Sequence, residues 1–510
     1  MAGIFAKLNR NPKKEATERN ERISSKLKHR GHKRTLLINE GPFFLAYHQR
    51  RDKNASEEID FYYDPQTRSI IALDGFIFNL DEILKNYNLN ERQENSNGQL
   101  RAIFEAYQSI GSKIFKDFIG TFSGILYDGT QLIAFKDPVG AKPLYYCETK
   151  NYFTISSELK GLTALGEHIK PVPPGCVIDS DGSRINYYNY PNFTLNSTVD
   201  KGKVNSYCHK LKQLIIKAIQ DNIKEDENIN GLLSGGIDST LITHVAKDII
   251  DDYHVFTVGI EGSQDIHYAK KYADLYNLPH TVLDISTEQM LDCLPNVIYA
   301  LETYDAALIR SSVPMYLISE KIQSEQGNCV ILTGEGGDEL FGGYDYLADF
   351  NEPQQFNEEL LNLLQIEHLT GLQRVDRIPY HFSIEARAPL FDRRLVEFSF
   401  SIPPEFKVCK RGDDIIQKWI LRKAFDGEIP LEFIWREKQK FSDGAGSQFM
   451  LREYIRGIIS DEEFEEEKQI CPSITLRSKE ELYYWRIFDD HFNPTLSTLQ
   501  EIGLTGTFQI

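Results

Sequence analysis

The stretch Leu232-Leu-Ser-Gly-Gly-Ile-Asp-Ser-Thr240 follows a short apolar run, Asn230-Gly-Leu-Leu, and opens into a helical pattern over Ser239 to Ile250. Two adjacent glycines let the backbone turn tightly enough for successive N–H groups to converge on an anion at the helix N-terminus. Ser234 and Ser239 add hydroxyl donors, and Asp238 supplies a carboxylate able to hold Mg²⁺ against phosphates. The spacing is not GxxxxGK[ST], so a Walker-type loop is excluded. Strand, glycine turn and helix in this order form the unit of a parallel, doubly wound sheet, which binds ligands at its strand C-termini.

Downstream, Val255-Phe-Thr-Val-Gly259 reads as a second strand and Asp265 to Tyr276 as its helix. A third strand, Cys329-Val-Ile-Leu-Thr333, runs into a second glycine turn, Thr333-Gly-Glu-Gly-Gly-Asp-Glu-Leu-Phe-Gly-Gly-Tyr344. This turn offers Glu335 and Asp338 to the same sheet edge. Two carboxylates beside a pyrophosphate make sense if a cation lies between them or if one works as a base. Beyond Leu360 the chain reads mainly helical, and the acidic run Asp461 to Glu467 reads as an exposed helix face. Lys418 and Arg422 share one helix face, four residues apart.

Upstream the pattern changes. Between Gly41 and Tyr190, short apolar runs such as Ser69-Ile-Ile-Ala-Leu73, Phe122 to Tyr127 and Gln131 to Phe135 are bounded by Asp-Gly or Gly turns, with a helical stretch from Gln99 to Ser109. That reads as an α+β domain with antiparallel sheets. The basic segment Lys7 to Arg34, interrupted by glutamates, reads as a solvated helix. A polar stretch from Asn189 to Asn205 marks the boundary, giving an expected N-terminal domain over 1–195 and an α/β domain with a helical C-terminal part over 205–510.

The 510 residues fit two domains, and a hydrophobic share of 41% with 30 Phe and 26 Tyr excludes a disordered chain. A net charge of −18 argues against broad electrostatic binding to nucleic acid or an anionic membrane. No apolar run approaches the ~18 residues of a membrane span, so a soluble, cytoplasmic protein is expected. The seven cysteines are scattered and form no CxxC pair, which fits a reducing compartment and suggests neither zinc nor a disulfide scaffold. None precedes Cys147.

The serine-glycine loop resembles the pyrophosphate loop of the N-type ATP pyrophosphatases. Further motifs narrow the resemblance: Glu302-Thr-Tyr-Asp, Ile309-Arg-Ser-Ser-Val-Pro-Met-Tyr-Leu, Gly334 to Tyr344, Glu385-Ala-Arg-Ala-Pro-Leu-Phe-Asp, Lys438 with Phe441-Ser-Asp-Gly444, and Lys479 to Arg486. In this order they resemble the asparagine synthetase family over nearly the whole chain. The resemblance implies ATP and Mg²⁺, adenylation of a small-molecule carboxylate, and attack by ammonia or an amine to give an amide, AMP and pyrophosphate. It implies that Ser234, Gly235, Gly236, Asp238 and Ser239, with Lys418, grip the nucleotide's phosphates. Asp238 and Asp338 would hold Mg²⁺, and Leu232, Val258 and Gly334 would line the adenosine pocket. Glu335 would be the base that takes a proton from the attacking nitrogen, and Lys438 would stabilise developing negative charge. Asp305, Arg310, Ser442 and Asp443 would face the acceptor. The family often forms homodimers, which leaves the oligomeric state open.

The N-terminal half resembles the family's glutaminase through Met1-Ala-Gly-Ile-Phe5, His29-Arg-Gly, Asp137 to Tyr146 and Ser156 to Leu162. It departs from it at the residues that carry chemistry. The family places a nucleophilic cysteine directly after the initiator Met, where this chain has Ala2. Asp74-Gly-Phe76 stands where Asn-Gly-Glu is usual, His32-Lys33 where Pro-Asp is usual, and Gly98 where an acidic residue binds the substrate amine. One substitution would not account for all four, so the expectation is an amide ligase with a fold resembling an Ntn-hydrolase sandwich at its N-terminus but no glutamine hydrolysis there. Ala307 and Leu308 replace two hydroxyls near the expected acceptor, which puts aspartate in doubt as substrate. Three rival expectations stand: ordinary asparagine formation, ring closure with an amine of the substrate as in β-lactam synthetases, and a pseudoenzyme that only binds a nucleotide or a partner.

Overall fold

The computed structural model describes residues 2–11, 17–49, 61–88, 96–190, 201–224, 227–411, 414–436 and 447–502. The chain folds into two compact units: Met1–Asn189 with Glu302–Asp305 and Glu462–Leu504, and Tyr190–Leu301 with Ala306–Asp461. The expected division at residues 195–205 therefore differs in two places, since two pieces of the later sequence pack with the first unit.

The first unit carries two six-stranded antiparallel sheets. One runs, in spatial order, Ile169–Pro171, Tyr145–Glu148, Tyr152–Ser156, Ala2–Asn9, Phe43–Gln49 and Arg34–Glu40. The other runs Arg184–Asn186, Cys176–Asp179, Leu132–Lys136, Gly120–Tyr127, Ser69–Ile77 and Phe61–Asp64. Alternation sends Ala2, Ile4, Ala6 and Leu8 into one core with Ile70, Ala72, Ile125 and Ala134 of the facing sheet. Phe43 and Tyr127 stack across it at 4.1 Å between centroids. Two strands at its start were not expected from the sequence. Ala2–Asn9 is buried on both faces, with Gly3 packed against residues Leu27 and Arg30, so its hydrophobic pattern does not alternate. The described residues of the basic segment read as one helix are instead the end of that strand, a helix over Thr17–Ser24, a 3₁₀ segment over Ser25–Arg30 and the start of the strand Arg34–Glu40, and residues 12–16 lie outside the described residues.

His48, on Phe43–Gln49, is buried; its Nε2 meets the Ser24 carbonyl at 2.8 Å and its Nδ1 the Thr35 hydroxyl at 2.9 Å. Burial pushes the imidazole down from 6.5 to about 4. Between those values the unfolded chain takes up a proton that the folded chain refuses, so acid favours unfolding. We expect the wild type to lose about 2 kcal/mol more than His48→Gln between pH 7 and pH 5 in urea titrations. Equal losses would show that the buried ring does not carry this dependence.

The second unit is built on a five-stranded parallel sheet ordered His280–Asp284, His254–Gly259, Ile229–Leu232, Val330–Leu332 and Glu385–Arg387. The three inner strands are those expected; the two edges were not recognised as strands. Ile229–Leu232 pairs with His254–Gly259 on one side and Val330–Leu332 on the other. The chain order reverses here, and the loops leaving Leu232 and Leu332 emerge side by side at the same sheet edge. Helices Ile237–Ala246 and Gln264–Leu275 follow their strands as expected. The acidic run Asp461–Glu467 is helical with no buried residue. Among the described residues no helix is long and apolar enough to cross a membrane.

Candidate functional site

The serine-glycine loop takes its shape from local chemistry. Gly235 adopts φ +71°, a conformation that L side chains rarely adopt, and Gly236 caps the helix Ile237–Ala246. The Ser239 hydroxyl accepts from the Ser234 N–H at 3.1 Å and lies 3.0 Å from the Ser234 hydroxyl, which itself accepts from the Gly236 N–H at 3.3 Å. The two serines thus hold the turn that points backbone N–H groups along the helix axis.

The second glycine loop is locked into the first. A Cβ on Gly334 would lie 2.6 Å from the Ser239 nitrogen, and one on Gly337 would lie 2.0 Å from Asp238 Oδ1. A Cβ on Gly343 would lie 1.7 Å from Asp338 Oδ1 and 2.3 Å from Lys418 Cε. These glycines are therefore required by close approach. They bring Asp238 and Asp338 to one point, which the ammonium of Lys418 occupies, paired with Asp238 and 2.8 Å from Asp338 Oδ1. Lys418 is 2% exposed and itself sits at φ +53°. Burial alone would push its ammonium down, but the two carboxylates outweigh burial and hold it above the ordinary lysine value. Arg422, also buried, donates to the Gln417 carbonyl at 3.0 Å, to the Ile434 carbonyl and to the Arg436 carbonyl at 3.0 Å, tying the Lys418 turn to the segment that precedes Lys438.

The Lys418 position tests the fit of a metal. Two carboxylates converge on one cation, which is the donor set Mg²⁺ uses together with substrate phosphates. Among the described residues no group of three or more His, Cys, Asp or Glu is arranged to hold a metal alone. The site fits Mg²⁺ delivered with a nucleotide, and it does not fit a caged structural ion.

Glu335 faces a second group. Arg374 bridges Glu335 Oε1 at 2.5 Å and the Ser311 hydroxyl at 2.6 Å. The buried Glu339 accepts from the Tyr344 hydroxyl at 2.5 Å. Burial and then the charge of Asp338 push Glu339 up to about 7. Glu367, also buried, accepts from the Thr370 hydroxyl at 2.8 Å and is pushed well above the usual carboxylate range by burial and then by Glu339. Gly371 makes the approach of two of these acids feasible: its Cβ position is 2.0 Å from Glu367 Oε1 and 3.5 Å from Glu335 Oε2. Sequence reading did not find Arg374 or Glu367, because no spacing links them to the loop that they support, and it assigned nothing to Glu339 although that residue stands in the loop beside Asp338.

Of the other expected residues, Val258 is buried in its strand and Leu232 ends the central one. Asp305 belongs to the first unit, where Arg477 donates to it at 3.0 Å. Arg310 lies in the second unit on the helix Ala306–Gln326. Lys438, Ser442 and Asp443 lie outside the described residues.

In the first unit Ala2 is fully buried, and its N–H donates to Asp74 Oδ1 at 2.9 Å. Asp74 Oδ2 accepts from Arg30 at 2.8 Å, and Arg30 also reaches Glu158 Oε1 at 2.9 Å. Lys160 bonds Glu158 Oε2 at 2.6 Å and lies 3.1 Å from Glu302, whose carboxylate also accepts the N–H groups of Leu159 and Lys160. A line of alternating charge thus starts at Ala2 and is buried throughout. Phe76 is buried beside it on the strand Ser69–Ile77, and Gly98 is part of the helix Ser96–Ile110.

Comparison with known proteins agrees with the two halves. The Asparagine synthase family model matches residues 210–365 and 348–493, and the Glutamine amidotransferase domain model matches 1–175. The asparagine synthetase [glutamine-hydrolyzing] of Sandersonia aurantiaca is 32% identical over 96% of this chain and 96% of its own length. The asparagine synthetase [glutamine-hydrolyzing] 1 of Arabidopsis thaliana is 31% identical over 96% of this chain and 87% of its own. Among solved structures, the chain is similar to the glutamine phosphoribosylpyrophosphate amidotransferase of B. subtilis at 13% identity and a TM-score of 0.31, covering 55% of this chain and 65% of that one. It is similar to the NMN synthetase of Francisella tularensis at 14% identity and a TM-score of 0.24, covering 60% and 99%. These structural likenesses are partial.

Proposed function

Since the chain belongs to the asparagine synthetase family of ATP-dependent C–N ligases, we propose that it forms its amide with free ammonia or an amine and does not hydrolyse glutamine. The observation that carries this reading is Ala2. A methyl group cannot attack an amide, and the Asp74 carboxylate beside it is held by the Ala2 N–H and Arg30. Phe76 and Gly98, where the family is expected to hold glutamine with an acidic side chain, bring no charge to replace it.

On this reading the two glycine loops bind the triphosphate, and the carboxylate of a small acceptor attacks its α-phosphorus, releasing pyrophosphate. The nitrogen then attacks the acyl-adenylate, giving the amide and AMP. Backbone N–H groups at Gly235 and Gly236 and the hydroxyls of Ser234 and Ser239 orient the phosphates. Asp238 and Asp338 would hold Mg²⁺, which when bound would offset phosphate charge beside Lys418. Glu335, positioned by Arg374, accepts the proton that the nitrogen loses as it attacks. Lys438 is assigned to the developing oxyanion by the resemblance. The retained Asp238, Glu335, Asp338 and Lys418 favour catalysis over a pseudoenzyme.

A second reading, ordinary asparagine synthesis, is favoured by the names of the relatives, which are called glutamine-hydrolyzing. A pyrophosphate-release screen over carboxylates, run with ammonium and with glutamine in parallel, separates the two. We expect turnover with ammonium or an amine, none with glutamine, and no glutamate released. Ala2→Cys is expected to remain silent with glutamine as well, because Asp74 and Phe76 stay in place. Glutamate released from glutamine by the wild type would overturn the proposal.

A further inference from the structure

Arg436 has been given no role, and its surroundings call for one. Its side chain is 6% exposed, and its guanidinium donates from Nη2 to Asp265 Oδ1 at 2.9 Å. The plane lies over the Tyr268 ring, 4.3 Å from its centroid. Nε and Nη1, equally buried, make no hydrogen bond. Nη1 lies 3.2 Å from the position of a Cβ on Gly235, so this unsatisfied edge rests on the serine-glycine turn. The turn is pressed onto the same support: the Gly235 Cβ position is 2.8 Å from Tyr268 Cβ and 2.9 Å from the Ala269 nitrogen.

A buried guanidinium whose only task was to pair with Asp265 would not leave two donors unpaired, since each unmade bond of a buried charged group costs free energy. Arg is the side chain that can hold a carboxylate with one edge and a phosphate with another. The position is also fixed by the backbone, because the Arg436 carbonyl accepts from Arg422. Resting on the nucleotide-binding reading above, we propose that Arg436 is a pyrophosphate-binding residue, its free edge taking a phosphate oxygen seated at Gly235.

Isothermal titration of the full chain with Mg-pyrophosphate and, separately, with adenosine tests this. For Arg436→Met we expect pyrophosphate affinity to fall by about 10- to 100-fold, while adenosine affinity stays within about twofold. Arg436→Lys keeps the positive charge beside Asp265 and decides the matter if the Met variant does not fold. It should weaken pyrophosphate by several-fold, because one ammonium cannot serve Asp265 and a phosphate together. Pyrophosphate affinity unchanged in a folded variant would overturn the proposal, as would a parallel loss of adenosine in both variants, which marks a collapsed loop. Wild-type protein that binds neither probe would overturn the nucleotide reading and this inference together. Binding by the wild type with no effect of either variant would overturn this inference alone.

Discussion

Glu335→Gln is expected to lower amide formation by about 10²- to 10⁴-fold while leaving ATP–pyrophosphate exchange within a few-fold of the wild type. The split follows from the order of the steps. On the proposed mechanism, adenylation needs the two glycine loops and a cation held by Asp238 and Asp338, neither of which depends on a base. Attack by the nitrogen creates a positive charge that must be lost as a proton, and a glutamine amide cannot accept it. The substitution is chosen for Arg374. Its Nη2 donates to Glu335 Oε1 at 2.5 Å, and the Gln carbonyl can accept the same bond. Glu335→Ala would leave that buried guanidinium edge unpaired and cost about 1–3 kcal/mol of stability, confusing a chemical loss with a structural one. Exchange assays with labelled pyrophosphate, beside direct measurement of amide, check the prediction. If exchange and amide formation fall together, Glu335 acts in binding and is not the base.

The parts of this site legible in the sequence are those that local backbone chemistry encodes. Adjacent glycines after an apolar run had to make a turn, and serines five residues apart could bond across it. The two loops could be placed at one sheet edge because strand–turn–helix units obey a known topology. Arg374 and Glu367 were not legible. They reach Glu335 from the helix Gly371–His381 and the turn before it, through tertiary packing that no spacing announces. Lys418 was read from resemblance alone, and only the structure shows its ammonium between two aspartates. In the first unit the strand Ala2–Asn9 was missed for a related reason: a strand covered on both faces loses the period of two on which strand reading depends. Arg30, Glu158, Lys160 and Glu302 stood in quoted motifs, yet their mutual charge pairing is a property of packing. The same holds for Glu462–Leu504, whose membership of the first unit no composition shift marks.

Lys418→Met carries the second large expectation, because it removes the cation around which both loops are closed. The wild-type arrangement sets one buried ammonium against two carboxylates, leaving a net charge of −1. Without the ammonium, Asp238 and Asp338 face each other across a space already narrowed by Gly337 and Gly343. Breaking a fully buried pair by removing one partner costs about 3–5 kcal/mol, and with Asp238 19% and Asp338 26% exposed the loss here is expected to fall below that range. We expect the midpoint of thermal unfolding to fall accordingly in magnesium-free buffer, and pyrophosphate release to fall by at least about 100-fold. Millimolar Mg²⁺ should recover part of the lost stability in the variant and change the wild type little, since a divalent cation can take the place between the carboxylates that the ammonium has left. It should not recover turnover to the same extent, because on the proposed mechanism Lys418 also supplies a fixed positive charge beside the phosphates. Scanning calorimetry with and without Mg²⁺ reads the stability terms. A variant as stable as the wild type, or one indifferent to Mg²⁺, would mean that the two aspartates do not share a cation, and the assignment of this point as the metal and phosphate site would fail with it.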